Sequence, residues 1–182
     1  IYGAAFDSDS HDPMDENGHG THVAGIIAMS DNSKGGRGLC PNVKIMAVKA
    51  AGKDGVFQST DVVKAIRYAS SMGADVINMS FGAYVHSALV EEACQEAFGT
   101  SILVAAAGNE GYPTADAPGT AKGNQYPACY PYVLGVMAYD KNGRLASFSN
   151  WDYAMGEGPE YEIAAPGADM YSTLPGNEYG TK

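Results

Sequence analysis

Short apolar segments alternate with amphipathic segments between about residues 40 and 110. Runs of consecutive apolar residues predict strands, and apolar residues that recur every three or four positions predict helices. The predicted order is a strand at 43–50, a helix at 59–73, a strand at 75–81, a helix at 89–98 and a strand at 101–107. This alternation is typical of an α/β fold whose parallel strands are joined by helical crossovers.

The pattern changes after Gly108, where loops rich in glycine, proline and tyrosine follow and only residues 132–139 predict a further strand. No repeat, linker or low-complexity segment divides the sequence, so we expect one domain. Loops at 80–82 and 108–111 directly follow two of the predicted parallel strands. Because open parallel sheets bind ligands beyond the carboxyl ends of their strands, we expect these loops to carry the chemistry.

The composition narrows the class of protein. Of the 182 residues, 45% are hydrophobic and 18% are charged, which supplies enough apolar material for a core and excludes intrinsic disorder. The net charge of −10 argues against nucleic-acid binding, because an acidic surface repels phosphates. No apolar run approaches the roughly 18 residues that span a bilayer, so no membrane-spanning segment is expected in this chain.

Three cysteines, Cys40, Cys94 and Cys129, are too few and too widely spaced for a disulfide scaffold or a zinc ribbon. At most one disulfide can form, and all three pairings stay open. The simpler interpretation is that these residues are buried apolar thiols.

The segment 17–25 carries the most specific chemical signal. His19 and His22 lie on neighbouring positions of a predicted helix, and glycines flank His19 on both sides. An imidazole, whose ordinary pKa is about 6.5, is the usual general base near neutral pH. This segment alone is equally consistent with a catalytic base and with a pair of structural histidines.

HGTHVAG, within this segment, is followed by six further segments in a fixed order along nearly the whole chain: VINMSFG, VAAAGNEG, YPACYP, RLASFSN, AAPG and YSTLPGN. In this order and approximate spacing, the sequence resembles the subtilisin-like serine proteases, the subtilases. The resemblance implies a three-layer α/β/α fold with a mostly parallel central sheet. It identifies residues 1–182 as part of a catalytic domain, truncated at both ends. It also implies a serine endopeptidase that binds protein or peptide substrates as extended strands.

The resemblance assigns roles to individual residues. His19 matches the catalytic histidine, and Asn109 matches the residue whose side-chain amide donates to the oxyanion of the tetrahedral intermediate. Two segments match the walls of the substrate site, namely the strand edge Ser80, Phe81 and Gly82 and the opposite wall Ala106, Ala107 and Gly108. The small residues of the second wall are expected to leave room for a bulky apolar side chain. His22 matches a histidine with a structural role.

The other two members of the Asp-His-Ser triad are expected outside residues 1–182, the aspartate before Ile1 and the serine after Lys182. The carboxylates that precede His19 lie in a polar loop rather than at the end of an apolar strand, so none of them is assigned as the triad aspartate. Gly99–Ser101 repeats the start of the nucleophile motif, but a predicted buried strand follows Ser101. Residues 1–182 alone are therefore expected to be inactive and to fold poorly.

Asp7, Asp9 and Asp12 place three carboxylates in one short loop. Hard oxygen ligands at this density suit Ca²⁺, and the resemblance implies that a structural calcium ion is a candidate here. A solvated acidic loop is the alternative. Asn32 matches a ligand position of another calcium loop of the family. No catalytic cofactor is expected.

Two alternatives to an active serine endopeptidase stay open. The first is a subtilase fold that binds without catalysis, which would follow if Gly180–Lys182 were the nucleophile motif with Lys182 in place of serine. The second is metal-dependent hydrolysis with His19, His22 and nearby aspartates, which leaves Asn109 and the strand edge at 80–82 unexplained. The resemblance further implies a monomer that is secreted or attached to the cell surface, with a cytoplasmic location as the alternative.

Overall fold

The structure is a computed structural model that describes residues 3–7, 12–114, 123–153 and 161–182. The chain divides into two compact units, residues 1–69 with 169–182 and residues 70–168. The helices and the parallel pairing of the strands confirm the predicted α/β class. The single-domain interpretation stays a prediction. No helix within the described ranges is long and apolar enough to cross a membrane.

The elements follow one another as β1 (Gly3–Ala5), α1 (His19–Ala28), β2 (Ala47–Lys49), α2 (Ser59–Ser71), β3 (Val76–Met79), α3 (Ala88–Phe98), β4 (Ile102–Ala106), β5 (Leu134–Tyr139), β6 (Ile163–Pro166), β7 (Tyr171–Leu174) and β8 (Glu178–Thr181). In the first unit, β1 and β2 pair in parallel, and β7 and β8 form an antiparallel hairpin. The hairpin turns at Gly176 and Asn177, which both adopt positive φ angles, 80° and 61°.

Helix α1 packs closely against strand β7. The hydroxyl of Ser172 donates to the carbonyl of His22 at 2.6 Å, and the hydroxyl of Thr173 donates to the carbonyl of Thr21 at 2.8 Å. Gly25 lies at the point of closest approach. A Cβ atom on Gly25 would lie 2.9 Å from the Thr173 backbone nitrogen and closer still to both hydroxyl oxygens. The glycine therefore sets the distance between the helix and the hairpin.

Replacing Gly25 with alanine is expected to lower the free energy of unfolding by about 1–3 kcal/mol, because the added methyl group overlaps backbone that cannot move away freely. Gly20 on the same helix is the matched control. The nearest atom to a Cβ there is an Asp15 oxygen at 3.6 Å, so Gly20→Ala should be neutral or stabilise by about 0.5–1 kcal/mol. Denaturant unfolding of the two variants of the full-length protein checks the pair. Equal stabilities would contradict the close packing.

The second unit is built on a four-stranded, fully parallel sheet in the order β3-β4-β5-β6. Helix α3 packs against β4 and buries Ala93, Cys94 and Ala97 completely or almost completely. Burial alternates along β4, since Leu103 is 2% exposed while its neighbour Ile102 is 60% exposed. The sequence predicts burial of both faces for a parallel strand, and only one face is buried in β4 as described.

Every element predicted from periodicity exists, with shifted ends. The largest shift is in the strand expected at 43–50, which is restricted to Ala47–Lys49. Strands β1, β6, β7 and β8 were not predicted, because each has only three or four residues. β1 and β6 consist mainly of glycine, alanine and proline, and β7 and β8 are partly polar. Such short segments lack the run of apolar residues that identifies a strand.

No disulfide joins Cys40, Cys94 or Cys129 in the structure. Cys94 fits the interpretation of a buried apolar thiol, because it is fully buried and burial raises its pKa to about 12. Cys40 is exposed and Cys129 is half-buried, so that interpretation does not extend to all three.

Candidate functional site

His19 is the first residue of α1, and its side chain is exposed to solvent. The residue before it, Gly18, is buried and adopts a φ of 89°, a conformation that L side chains rarely adopt. This turn ends the polar loop and starts the helix within one residue. The backbone therefore places the imidazole at the helix terminus, where it is exposed to solvent.

Asp15 fixes the start of α1. Its carboxylate accepts hydrogen bonds from the backbone N–H groups of Asn17 (2.9 Å), Gly18 (2.8 Å) and Thr21 (2.7 Å), and from the Thr21 hydroxyl (2.6 Å). Partial burial raises the pKa of Asp15, but these hydrogen bonds outweigh it, so the pKa is lowered to about 2. The carboxylate stays charged near neutral pH and satisfies N–H groups that a helix start leaves without partners. No pattern in the sequence indicates this role of Asp15.

The environment of His19 favours the neutral imidazole. Burial of part of the ring lowers the pKa of His19 below 6.5, and the positive charge of Lys182 lowers it further, against an opposing effect of Asp15. A neutral imidazole can accept a proton near pH 7, which is what a general base requires. The direction of this pKa shift therefore suits the role predicted for His19.

His22 is enclosed by the first unit. It is 4% exposed, and its Nε2 atom lies 3.3 Å from the carbonyl oxygen of Gly180 in β8. Because its carbonyl also accepts the Ser172 hydroxyl, His22 ties α1 to both strands of the hairpin. These contacts are those of a structural residue.

Asn109 lies in the loop that follows β4 in the second unit. Gly108 before it has a φ of 111°, and a Cβ atom there would overlap the side-chain nitrogen of Asn150. The Asn109 backbone N–H donates to a carboxylate oxygen of Glu110 at 2.9 Å. Its side chain is exposed and makes no hydrogen bond to the residues that the structure describes. The carboxamide is thus available as a donor, while the backbone that carries it is held.

The two predicted substrate walls approach each other within the second unit. Gln125, which is 7% exposed, lies against Gly82 of one wall and Gly108 of the other. A Cβ atom on Gly82 would lie 2.7 Å from Gln125 Cγ, and one on Gly108 would lie 3.1 Å from Gln125 Oε1. That Oε1 atom is buried without a hydrogen-bond partner. The carboxamide therefore reduces the room that the small residues were expected to leave for a bulky apolar group.

The remaining wall residues occupy the ends of the strands. Ala106 is the last residue of β4, and Ala107 is 1% exposed, with its N–H donating to the Val136 carbonyl at 2.9 Å. Ser80 and Phe81 follow β3, and the Ser80 hydroxyl accepts a hydrogen bond from the Asn78 side chain at 2.8 Å.

Nothing in the sequence indicated that Gln125 lies between the two walls, because a glutamine in a loop is usually exposed.

Ser101, which completes the misleading Gly-Thr-Ser segment, is 6% exposed, and its hydroxyl donates to the Ala74 carbonyl at 2.7 Å. Its hydroxyl is enclosed rather than presented to a substrate. This agrees with its interpretation as a structural serine at the entry to β4.

The calcium prediction concerns Asp7, Asp9 and Asp12, of which Asp9 lies outside the described residues. One oxygen of Asp7 is 3.3 Å from the Lys49 ammonium, and the other is buried without a hydrogen-bond partner. Asp12 accepts a hydrogen bond from the Met14 N–H at 3.0 Å. Within the described ranges no three His, Cys, Asp or Glu side chains are grouped to hold a metal ion. The Asp7 oxygen without a hydrogen-bond partner could serve as a calcium ligand, whereas the positive charge of the nearby Lys49 ammonium would repel a calcium ion. The calcium site therefore stays a prediction.

Comparison with known proteins gives consistent matches over nearly the whole chain. Residues 3–182 match the sequence profile of the Subtilase family. The chain is 42% identical over 181 residues to the thermophilic serine proteinase of Bacillus sp. (strain AK1), covering 98% of this chain and 41% of that protein. It is 41% identical to subtilisin DY from Bacillus licheniformis, covering 98% of this chain and 62% of that protein.

Solved structures agree with the sequence matches. Sphericase superimposes with a TM-score of 0.84 at 30% identity, over 97% of this chain and 62% of that chain. A cold-adapted subtilisin-like serine proteinase gives a TM-score of 0.82 at 29% identity, over 100% and 60%. The chain therefore spans between 41% and 62% of the length of these four proteins.

Proposed function

Because the chain belongs to the subtilase family, we propose that the full-length protein is a serine endopeptidase. His19 acts as the general base that takes the proton of the nucleophilic serine and later returns it to the leaving amine. Asn109 donates its side-chain N–H to the oxyanion of the tetrahedral intermediate. We assign neither the nucleophilic serine nor the triad carboxylate to any residue of 1–182.

The exposed carboxamide of Asn109 is the observation that carries this proposal. It makes no hydrogen bond to the described residues, although the backbone on both sides of it is held by hydrogen bonds. An oxyanion donor requires this combination, because it must be unoccupied before the reaction and must not reorganise during it. The lowered pKa of His19 supports its role as the general base, because the neutral imidazole can accept a proton near pH 7.

The substrate is an extended segment of a protein or peptide that lies along Ser80, Phe81 and Gly82 as an added strand. The enzyme is a monomer that acts outside the cell, it does not bind nucleic acid, and any calcium has a structural role only. These statements rest on the resemblance and on the acidic charge of −10.

Incubation of the full-length protein with casein, followed by mass spectrometry of the fragments, tests the proposal. Internal cleavage is expected, and it should continue immediately after a chelator is added, because no step uses a metal ion. Cleavage that stops at once on chelation would instead support metal-dependent hydrolysis. Peptide binding without any cleavage would support the inactive subtilase fold.

Gln125→Gly is expected to change the size preference of the substrate site. Removing the carboxamide between Gly82 and Gly108 enlarges the space between the walls, so kcat/KM for a large aromatic side chain should rise about 10-fold or more relative to alanine. A set of peptides that differ only in the residue before the cleaved bond measures this ratio. Gln95→Ala, an exposed glutamine on α3, is the control and should leave the ratio unchanged. An unchanged ratio in Gln125→Gly would show that this side chain does not limit the site.

A further inference from the structure

Asn150 is a fully buried amide whose partners are concentrated on the loop that carries Asn109. Its exposed fraction is 0%. Its Oδ1 atom accepts the backbone N–H groups of Glu110 at 3.2 Å and Tyr112 at 2.9 Å, both on the carboxyl side of Asn109. Those two hydrogen bonds determine the direction of the chain as it leaves Asn109.

The same residue holds the other side of the loop. Its Nδ2 group donates to the Ala107 carbonyl at 2.9 Å, and its backbone N–H donates to the Gly108 carbonyl at 3.0 Å. The two residues that precede Asn109 are thus bound to Asn150, as are the first and third residues that follow it. Among the described residues, every main-chain group that the Asn150 side chain hydrogen-bonds belongs to this loop. Its remaining partners are the side chains of Tyr84 and Glu110.

Tyr84 and Glu110 complete the cluster. The Tyr84 hydroxyl donates to Glu110 Oε2 and accepts a hydrogen bond from Asn150 Nδ2 at 3.0 Å. Burial raises the pKa of Tyr84 to about 12, with a further contribution from the Glu110 carboxylate, so the hydroxyl stays a neutral donor near pH 7. The same Glu110 oxygen accepts the Asn109 N–H at 2.9 Å. The cluster therefore fixes Asn109 through its backbone and leaves its side chain unoccupied.

A buried amide in this position is costly unless its hydrogen bonds are satisfied, and here both polar atoms of the side chain have partners. The stabilisation of an oxyanion depends on donors that are already oriented, and a displacement of about 1 Å can cost roughly 100-fold in rate. The Asn109 side chain makes no hydrogen bond to the residues that the structure describes, so no such bond orients it. Its placement thus depends on the backbone that Asn150 holds.

We propose that Asn150 is a positioning residue for the oxyanion donor, acting through the backbone of residues 107–112. This inference rests on the proposed function. Asn150 does not touch the substrate. It fixes the position from which the Asn109 carboxamide donates, so its loss should slow the chemical step rather than weaken substrate binding.

A double-mutant cycle in the full-length protein tests the inference, with kcat normalised to the titrated concentration of active sites. Asn150→Ser is expected to lower kcat about 10–100-fold with KM within about 2-fold. In an Asn109→Ala background, Asn150→Ser should lower kcat by no more than about 2-fold, because the carboxamide that Asn150 positions is already absent. Asn142→Ala is the control, since Asn142 is an exposed turn residue whose side chain donates a hydrogen bond to Asp140 and to no other residue in the described part of the chain.

Hydrogen exchange gives a readout that does not need activity. Asn150→Ser should accelerate exchange of the Glu110 and Tyr112 amides, whereas the amides of β5 should keep the wild-type rates. Loss of protection throughout the second unit would show general destabilisation and overturn the inference. The inference would also be overturned if Asn150→Ser lowered kcat by the same factor in the Asn109→Ala background as in the wild-type protein. If the wild-type protein cleaves no peptide, or Asn109→Ala has wild-type kcat, the proposed function itself fails and the inference fails with it.

Discussion

Replacing His19 with alanine in the full-length protein is expected to reduce kcat by about 10⁶-fold, the size of loss known for the catalytic histidine of a subtilisin. Without the imidazole, no group takes the proton of the nucleophile or returns it to the leaving amine. The fold should persist, because the His19 side chain is exposed and α1 is held by Asp15 and the hairpin. Peptide hydrolysis, together with unfolding curves, separates the two effects.

His86→Ala is the matched control, because His86 is also exposed and its ring pairs with Glu91 rather than with a predicted site residue. It should retain wild-type kcat. In the wild-type protein, kcat/KM should fall as the pH drops through the pKa of His19, which is lowered below 6.5, so activity should extend to a more acidic pH than an ordinary histidine would allow. A His19→Ala variant with more than a few per cent of wild-type activity would remove His19 from the mechanism.

Asn109→Ala is expected to lower kcat about 10²–10³-fold, the loss known for this oxyanion donor in the subtilisins, while KM changes by about 2-fold or less. The asymmetry follows from the chemistry, because the amide is needed when negative charge develops on the oxygen and contributes little to ground-state binding. Structural damage should be small, since the side chain is exposed and makes no hydrogen bond to the described residues. Steady-state kinetics on one peptide substrate measure both constants.

Asn142→Ala again provides a surface asparagine of the same unit for comparison and should match the wild-type protein. A rise in KM with unchanged kcat in Asn109→Ala would indicate a residue that binds substrate uniformly rather than one that stabilises the transition state.

Periodicity was sufficient for the main elements of the fold. Val62, Ile66 and Ala69 recur on one face of the predicted helix, and all three are buried in α2. The alternation of helices and strands likewise predicted parallel pairing, which β3, β4 and β5 confirm. Periodicity failed for the β7–β8 hairpin, because each strand has only four residues and no apolar repeat. Its contact with α1, such as the bond from Thr173 to Thr21, joins residues that are far apart in sequence.

The residues of the site divide in the same way. His19 and Asn109 belong to short local motifs, so the sequence alone was enough to nominate them. Asn150 and Gln125 act through contacts with residues far away in sequence, such as Asn150 with Glu110 and Gln125 with Gly82. Neither residue carries a local pattern that predicts burial, because a polar amide in a loop is ordinarily exposed. Only the folded arrangement shows what these two amides contact.

Labelling of the full-length protein with a fluorophosphonate probe tests most directly the claim that this chain contributes the base and the oxyanion donor of a serine hydrolase. We expect one labelled serine per wild-type molecule, negligible labelling of His19→Ala and much slower labelling of Asn109→Ala. A protein that cleaves peptides without taking up the probe, or that labels equally fast in both variants, would contradict it.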